Sequence, residues 1–320
     1  ATDTYNVAVG YEAGLSVTTG VKNILVGGLA GDALTDADFN VGIGHQAIGS
    51  DTLGSRSVAI GFEALASQNF TTATDSYNTA VGHGAGAAVT TGVRNALIGG
   101  LAGDALTDAD HNVAMGHGAL SDDTLGSKSV ALGYQALSTQ NFTTATDTYN
   151  VSVGYQAGVS VTTGTLNTLI GGLAGDAITS GNSNVAVGYD ALSADTLGDR
   201  NVAIGLQALK TQNFTTSTDS YNTAVGYAAG LAVTTGNSNT LIGGLAGDAL
   251  TTGSNNTVVG KGALGTDTLG RENVAVGNGA LNTQNFTTST TSYNTAVGSS
   301  AGAAVTTGVQ NTFLGGGAGD

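Results

Sequence analysis

The chain has 320 residues, 52 of them Gly, with no Pro, Cys or Trp, and its 8 basic and 23 acidic residues leave a formal charge of −15. Absence of Cys excludes a disulfide framework, thiolate metal sites and a Cys nucleophile, and the acidic balance argues against a nucleic-acid partner, which needs clustered Lys and Arg. No apolar run reaches the ~18–20 residues of a membrane-spanning helix.

Self-similarity organises the rest. The signature Asn-x-x-aliphatic-Gly-x-x-Ala starts at Asn6, Asn23 and Asn40, then at Ser57 in variant form, and again at Asn78. The first three steps are equal, and the fourth is longer by four positions. The cycle restarts at Asn78, Asn150, Asn222 and Asn294, always after four coils. Residues 1–320 therefore read as one repetitive body of four 72-residue units and a partial fifth, 18 coils in all.

Within a coil the first and third residues after the Asn are mostly aliphatic (Val7 and Val9, Ile24 and Val26, Val41 and Ile43) and share one face of a short strand. That face is expected to be the core. The Gly that follows (Gly10, Gly27, Gly44, Gly61) reads as an obligatory bend, and the Ala three later (Ala13, Ala30, Ala47, Ala64) as a tight buried site. A second apolar anchor is expected at Val17, Leu34, Leu53 and Phe70. Apolar residues do not recur at helical spacing. The expected fold is all-β, a parallel β-solenoid whose coils are stable only when stacked on neighbours; at ~4.8 Å per coil, 18 coils would form a rod of roughly 85 Å. The Asn column, interrupted at Ser57 and Ser129, is expected to form an amide ladder. The fourth coil of each cycle carries four extra residues, read as a loop pinned by Phe70 and Tyr77 and their equivalents. Without capping repeats at either end, the chain reads as a stretch of a longer fibre.

The segments NVAVGYEAG at Asn6, SVAIGFEAL at Ser57, SVALGYQAL at Ser129 and NTAVGYAAG at Asn222 resemble the head repeats of trimeric autotransporter adhesins, and similar runs occur in phage tail fibres and other fibrous surface proteins. The resemblance covers the strand-and-turn half of every coil. It implies a left-handed β-roll, three chains around a common axis, and extracellular adhesion to a host glycan or protein. Two residues after the Asn, Ala8, Gly42, Ala59 and Ala80 alternate with Leu25, Leu97, Leu169 and Leu241. Two readings stand open for this position: an interchain face, or a face covered by the coil's own return segment.

Candidate chemistry is sparse. Tyr11, Tyr155, Tyr189 and Tyr227 directly follow the constant Gly, where His45, His83 and His117 also occur. A metal-binding His would not alternate with Tyr and Phe, so this position is read as a cover for the turn or as a surface that stacks on sugar rings. Asp32, Asp104, Asp176 and Asp248 sit in GGLAGDA segments that approach a calcium-binding turn, but they recur only every fourth coil and read better as solvated turns. Asn69, Asn141, Asn213 and Asn285 match the N-glycosylation pattern. The edge Thr column at Thr18, Thr35 and Thr52 invites an ice-binding reading, which its irregular neighbours disfavour. No nucleophile–base pair or paired carboxylates emerge, and no cofactor is implied. The sequence reads as a structural and adhesive extracellular fibre segment, not an enzyme, with itself as partner in a homotrimer or an end-to-end filament.

Overall fold

A computed structural model describes residues 3–320. They contain strands and turns and, among the described residues, no helix. The chain falls into two compact units, the first ending at Thr163 and the second running Gly164–Asp320. In the first, three-residue strands from Val7–Val9 to Val151–Val153 pair parallel and in register, each with the strand one coil on. The second repeats this from Thr168–Ile170 to Thr312–Leu314. Each unit is thus a parallel β-solenoid, and its coils are the repeats read in the sequence.

The bend at the constant Gly is obligatory. Gly27 has φ +137°, and a Cβ there would lie 2.4 Å from the carbonyl oxygen of Gly44 in the next coil. Only a residue without a side chain allows the coils to approach so closely.

The core lies on the face opposite to the one expected. The first and third strand positions point outward, leaving Ile24 42% and Met115 46% exposed. The second position points inward, where Ala59, Ala80, Leu97 and Ala114 are fully buried. Leu25, Leu97, Leu169 and Leu241 are therefore core residues, at most 1% exposed within their own coils, and not an interchain face. The physical reason is volume. Large and small residues exchange between the second and eighth positions: Leu25 with Gly31, Gly42 with Ile48, Ala59 with Leu65. A Cβ at Gly31 would lie 2.6 Å from Leu25 Cδ2, so one coil cannot hold both side chains. The constant Ala residues from Ala30 to Ala301 are fully buried, as expected, and Ala13 in the first coil is half-buried.

The Asn ladder is present. Asn23 donates through Nδ2 to Ala37 O (2.7 Å), closing its own coil, while its Oδ1 accepts from the backbone N–H of Asn40 at 2.9 Å. At the fourth coil, Ser57 and Ser129 break the column, and Gln68 and Gln140 supply the missing amide.

Candidate functional site

The longer fourth coil is anchored from within. Phe70 is 5% exposed, and a two-residue strand, Thr74–Asp75, pairs parallel with Gly54–Ser55. Tyr77 does not pin the loop: it is 50% exposed with φ 50°. Asp51, fully buried, does so instead. Its Oδ1 accepts from the N–H groups of Gly54 (3.1 Å) and Phe70 (3.0 Å), and its Oδ2 accepts from Gln68 Nε2 at 2.6 Å. Asp123, Asp195 and Asp267 repeat this bonding. No cation joins these carboxylates among the described residues. Burial accordingly pushes the Asp123 carboxyl above its ordinary value, against the opposing pull of its hydrogen bonds from Gln140, Phe142 and Gly126. This buried set was missed in the sequence. Its signal was available in the Asp-Thr-Leu-Gly segments recurring every fourth coil, whose Asp occupies the coil position that Leu34 fills one coil earlier.

Three columns reach the surface. The first is the outward aliphatic face, half-exposed along each unit at Ile24, Ile43 and Met115 in one and at Ile170, Ile204 and Ile242 in the other.

The second is the position just after the constant Gly. Here His45, Phe62 and His83 stack with centroids 5.6 and 5.2 Å apart, and His117, Tyr134 and Tyr155 with centroids 5.8 and 5.5 Å apart, all within 16° of parallel. Of the predicted stacking residues, Tyr155 thus joins a ladder. Tyr11, Tyr189 and Tyr227 are exposed without a stacked ring among the described residues. The Tyr11 hydroxyl is pushed up by its hydrogen bond to Glu12 and by that neighbour's charge.

The third column is the residue preceding each Asn, and sequence reasoning missed it. Every Lys and Arg before residue 164 lies here, as Lys22, Arg56, Arg94 and Lys128, alternating with Phe39, Tyr77, His111 and Tyr149. Lys22 Nζ and Arg56 Cζ sit 4.9 and 5.0 Å from the Phe39 ring centroid, and Arg56 also lies 5.8 Å from that of Tyr77. Arg56 pairs with Asp75 at 2.9 Å, Lys128 with Asp147 and Arg200 with Asp219. The Lys128 ammonium holds the Asp147 carboxyl below its ordinary value. These pairs neutralise one another at the solvent edge, where water and salt screen them.

The remaining candidates stay apart. Asp32, Asp104, Asp176 and Asp248 are half-buried, one in every four coils, and among the described residues no three His, Asp or Glu side chains converge as a metal site. Asp104 Oδ1 and Asp176 Oδ1 are buried without a hydrogen-bond partner, and burial raises both carboxyls. Asn69, Asn141, Asn213 and Asn285 are exposed, each accepting a Thr hydroxyl through Oδ1. The edge Thr hydroxyls are largely spent on carbonyls of the next coil, as Thr35 Oγ1 is on Thr52 O at 3.0 Å. An open polar cleft of about 420 Å³, lined by Asp32, Gln46, Ser50, Glu63 and Ser67, holds no nucleophile–base pair. No protein-family model and no curated protein matches the chain.

Proposed function

We propose that the chain is a structural and adhesive segment of an extracellular fibre that associates side by side with further copies of itself. One observation carries this reading: the third strand position is an outward-facing aliphatic in every coil, flanked by Val, Ile, Ala or Thr at the first, with Ile24 42%, Ile43 37% and Met115 46% exposed. A contiguous apolar patch of this kind is characteristic of an association surface. A parallel sheet is ordinarily covered on both faces, and here only the inner face is covered by the coil itself. A second copy of the same face offers the matching partner, and a homotrimer is the assembly the repeat resemblance implies. Placement outside the cell, on a cell or virion surface, follows from the same resemblance.

The test is mass in solution by light scattering. One chain is 31.1 kDa; association predicts a multiple of that value, returning to a single chain in the double variant Val113→Lys, Met115→Lys with strand content unchanged. A wild-type chain that remains monomeric at all concentrations would refute the reading.

A further inference from the structure

The aromatic ladder has a missing rung, and nothing in the fold requires it to be missing. The position after the constant Gly is Tyr11, Gly28, His45 and Phe62 in the first four coils, and His83, Gly100, His117 and Tyr134 in the next four. Gly recurs here every fourth coil, at Gly28, Gly100, Gly172, Gly244 and Gly316, while the rungs on either side vary among Tyr, His, Lys and Ser. At Gly28 and Gly100 the φ angle lies outside the left-handed region, and an added Cβ would meet only ordinary contacts, 3.5 Å from His45 Cδ2 and 3.5 Å from His117 Cδ2 respectively. Both sites would accept a side chain.

Each vacancy exposes ring faces. His45 stacks on Phe62 with one face and turns the other toward Gly28. His83 stacks on Phe62 and His117 on Tyr134, which leaves a free face of each toward Gly100. The flanking rungs are two coils, about 10 Å, apart. Neighbouring rings of the filled ladders sit 5.2–5.8 Å apart, so a ring bound midway lies within the same reach of both walls. A pyranose ring suits that place, with C–H bonds directed to both ring faces and hydroxyls around its edge. The imidazole nitrogens of the walls are also groups that can exchange hydrogen bonds with ring hydroxyls.

We infer that the vacant rungs at Gly28 and Gly100 are carbohydrate subsites, each receiving one pyranose ring between its flanking side chains. The inference deepens the adhesive reading by naming the ligand class. Subsites recurring every four coils, about 19 Å, would engage one polysaccharide at several points, so weak single contacts would gain through effective concentration.

The experiment is a titration of the intact chain with cellohexaose, xylohexaose and chitohexaose, with N-acetyltryptophanamide as an aromatic probe, read by the imidazole NMR resonances. The four His provide an internal control, because His111 lies in the cation–aromatic column away from both rungs. Saturable shifts at His45, His83 and His117 with one of the sugars, and none at His111, are expected. Gly100→Tyr fills its rung and should abolish the His83 and His117 shifts while leaving that of His45. If this variant fails to fold, His117→Ala, which removes one wall, should weaken the His83 response at least tenfold. No shift with any sugar, equal shifts including His111, a response to the aromatic probe alone, or undiminished binding in the folded rung variant would each overturn the inference. Solution mass is read separately, so a chain that associates without binding sugar refutes this subsite alone, and a monomer that binds sugar refutes only the side-by-side assembly.

Discussion

The Asn ladder makes the sharpest prediction about what holds the coils together. Asn95 is 1% exposed; its Nδ2 donates to Ala109 O at 2.7 Å, and its Oδ1 accepts from the backbone N–H of Asn112 at 2.9 Å. Asn95→Ala removes both bonds and leaves one carbonyl and one N–H buried without partners. Each orphaned group costs about 1–3 kcal/mol, so the variant should lose roughly 2–6 kcal/mol. In a solenoid that loss is local, and hydrogen exchange is a better reporter than a single melting curve. Peptides spanning residues 95–112 should exchange about 30-fold faster or more, while those of residues 240–273 remain unchanged. Asn95→Ser should rescue little, although Ser occupies the column naturally at Ser57. There Gln68 bridges the gap, donating to Ser57 Oγ and accepting from Asn78 Nδ2, whereas Leu106 stands at the corresponding place in the coil of Asn95. A local change below threefold in Asn95→Ala would refute the ladder as a stabilising element.

Three further outcomes follow from the core and its buried acids. Burial raises the carboxyls of Asp104, Asp123, Asp176 and Asp248, so the folded chain binds protons more tightly than the unfolded one. Their stabilising contribution is complete below the ordinary value of 3.8 and is lost as pH rises through the raised folded values; denaturant titrations should show greater stability toward pH 4 than at neutrality, and Asp104→Asn should flatten the profile. Leu97→Ala empties a fully buried site and should cost about 3–5 kcal/mol in denaturant unfolding without lowering the solution mass, the reverse of what an interchain Leu would do. Gly116→Ala places a Cβ 2.3 Å from Gly133 O at φ +137° and should cost roughly 3 kcal/mol or more, detectable as loss of protection across the adjoining coils.

The coil boundaries, the Gly bends, the tight Ala sites and the Asn ladder were legible because each depends on one residue type at one spacing. The inside of the strand was not. Alternation at Val41-Gly42-Ile43 assigns two faces but does not say which is buried, and hydrophobicity favoured the bulkier one. The decisive signal was volume exchange within a coil: where the second position is Leu25 the eighth is Gly31, and where it is Gly42 the eighth is Ile48. Such compensation means both side chains enter the same enclosed space. The buried Asp51 and Gln68 were obscured for a different reason. A carboxylate can be buried only where donors converge on it, and here two of them are backbone N–H groups that exist only once the loop has closed. The surface columns were only partly legible. The stacking position was visible as a repeated aromatic, but its ladder depends on coil-to-coil spacing, and the cations before each Asn could be aligned only after the coils were stacked.

Gly27 and Gly28 separate fold from function within two residues. At Gly27 a Cβ would strike the neighbouring coil's carbonyl at 2.4 Å, and the same position is Gly in every coil. At Gly28 a Cβ would find an ordinary contact at 3.5 Å, and the position is Gly only once in four coils, with Tyr, His or Phe in the other three coils of its cycle. Packing explains the glycine at Gly27; it does not explain the one at Gly28, where a side chain has room. The same reasoning applies to the aliphatic face, whose one-coil period matches an association surface running the length of each unit. An exposed feature that returns only every fourth coil, and that neither the core nor the loop requires, suits a ligand met at intervals. The interior of this protein specifies how coils stack, and the departures from that period on its surface are where binding is to be sought.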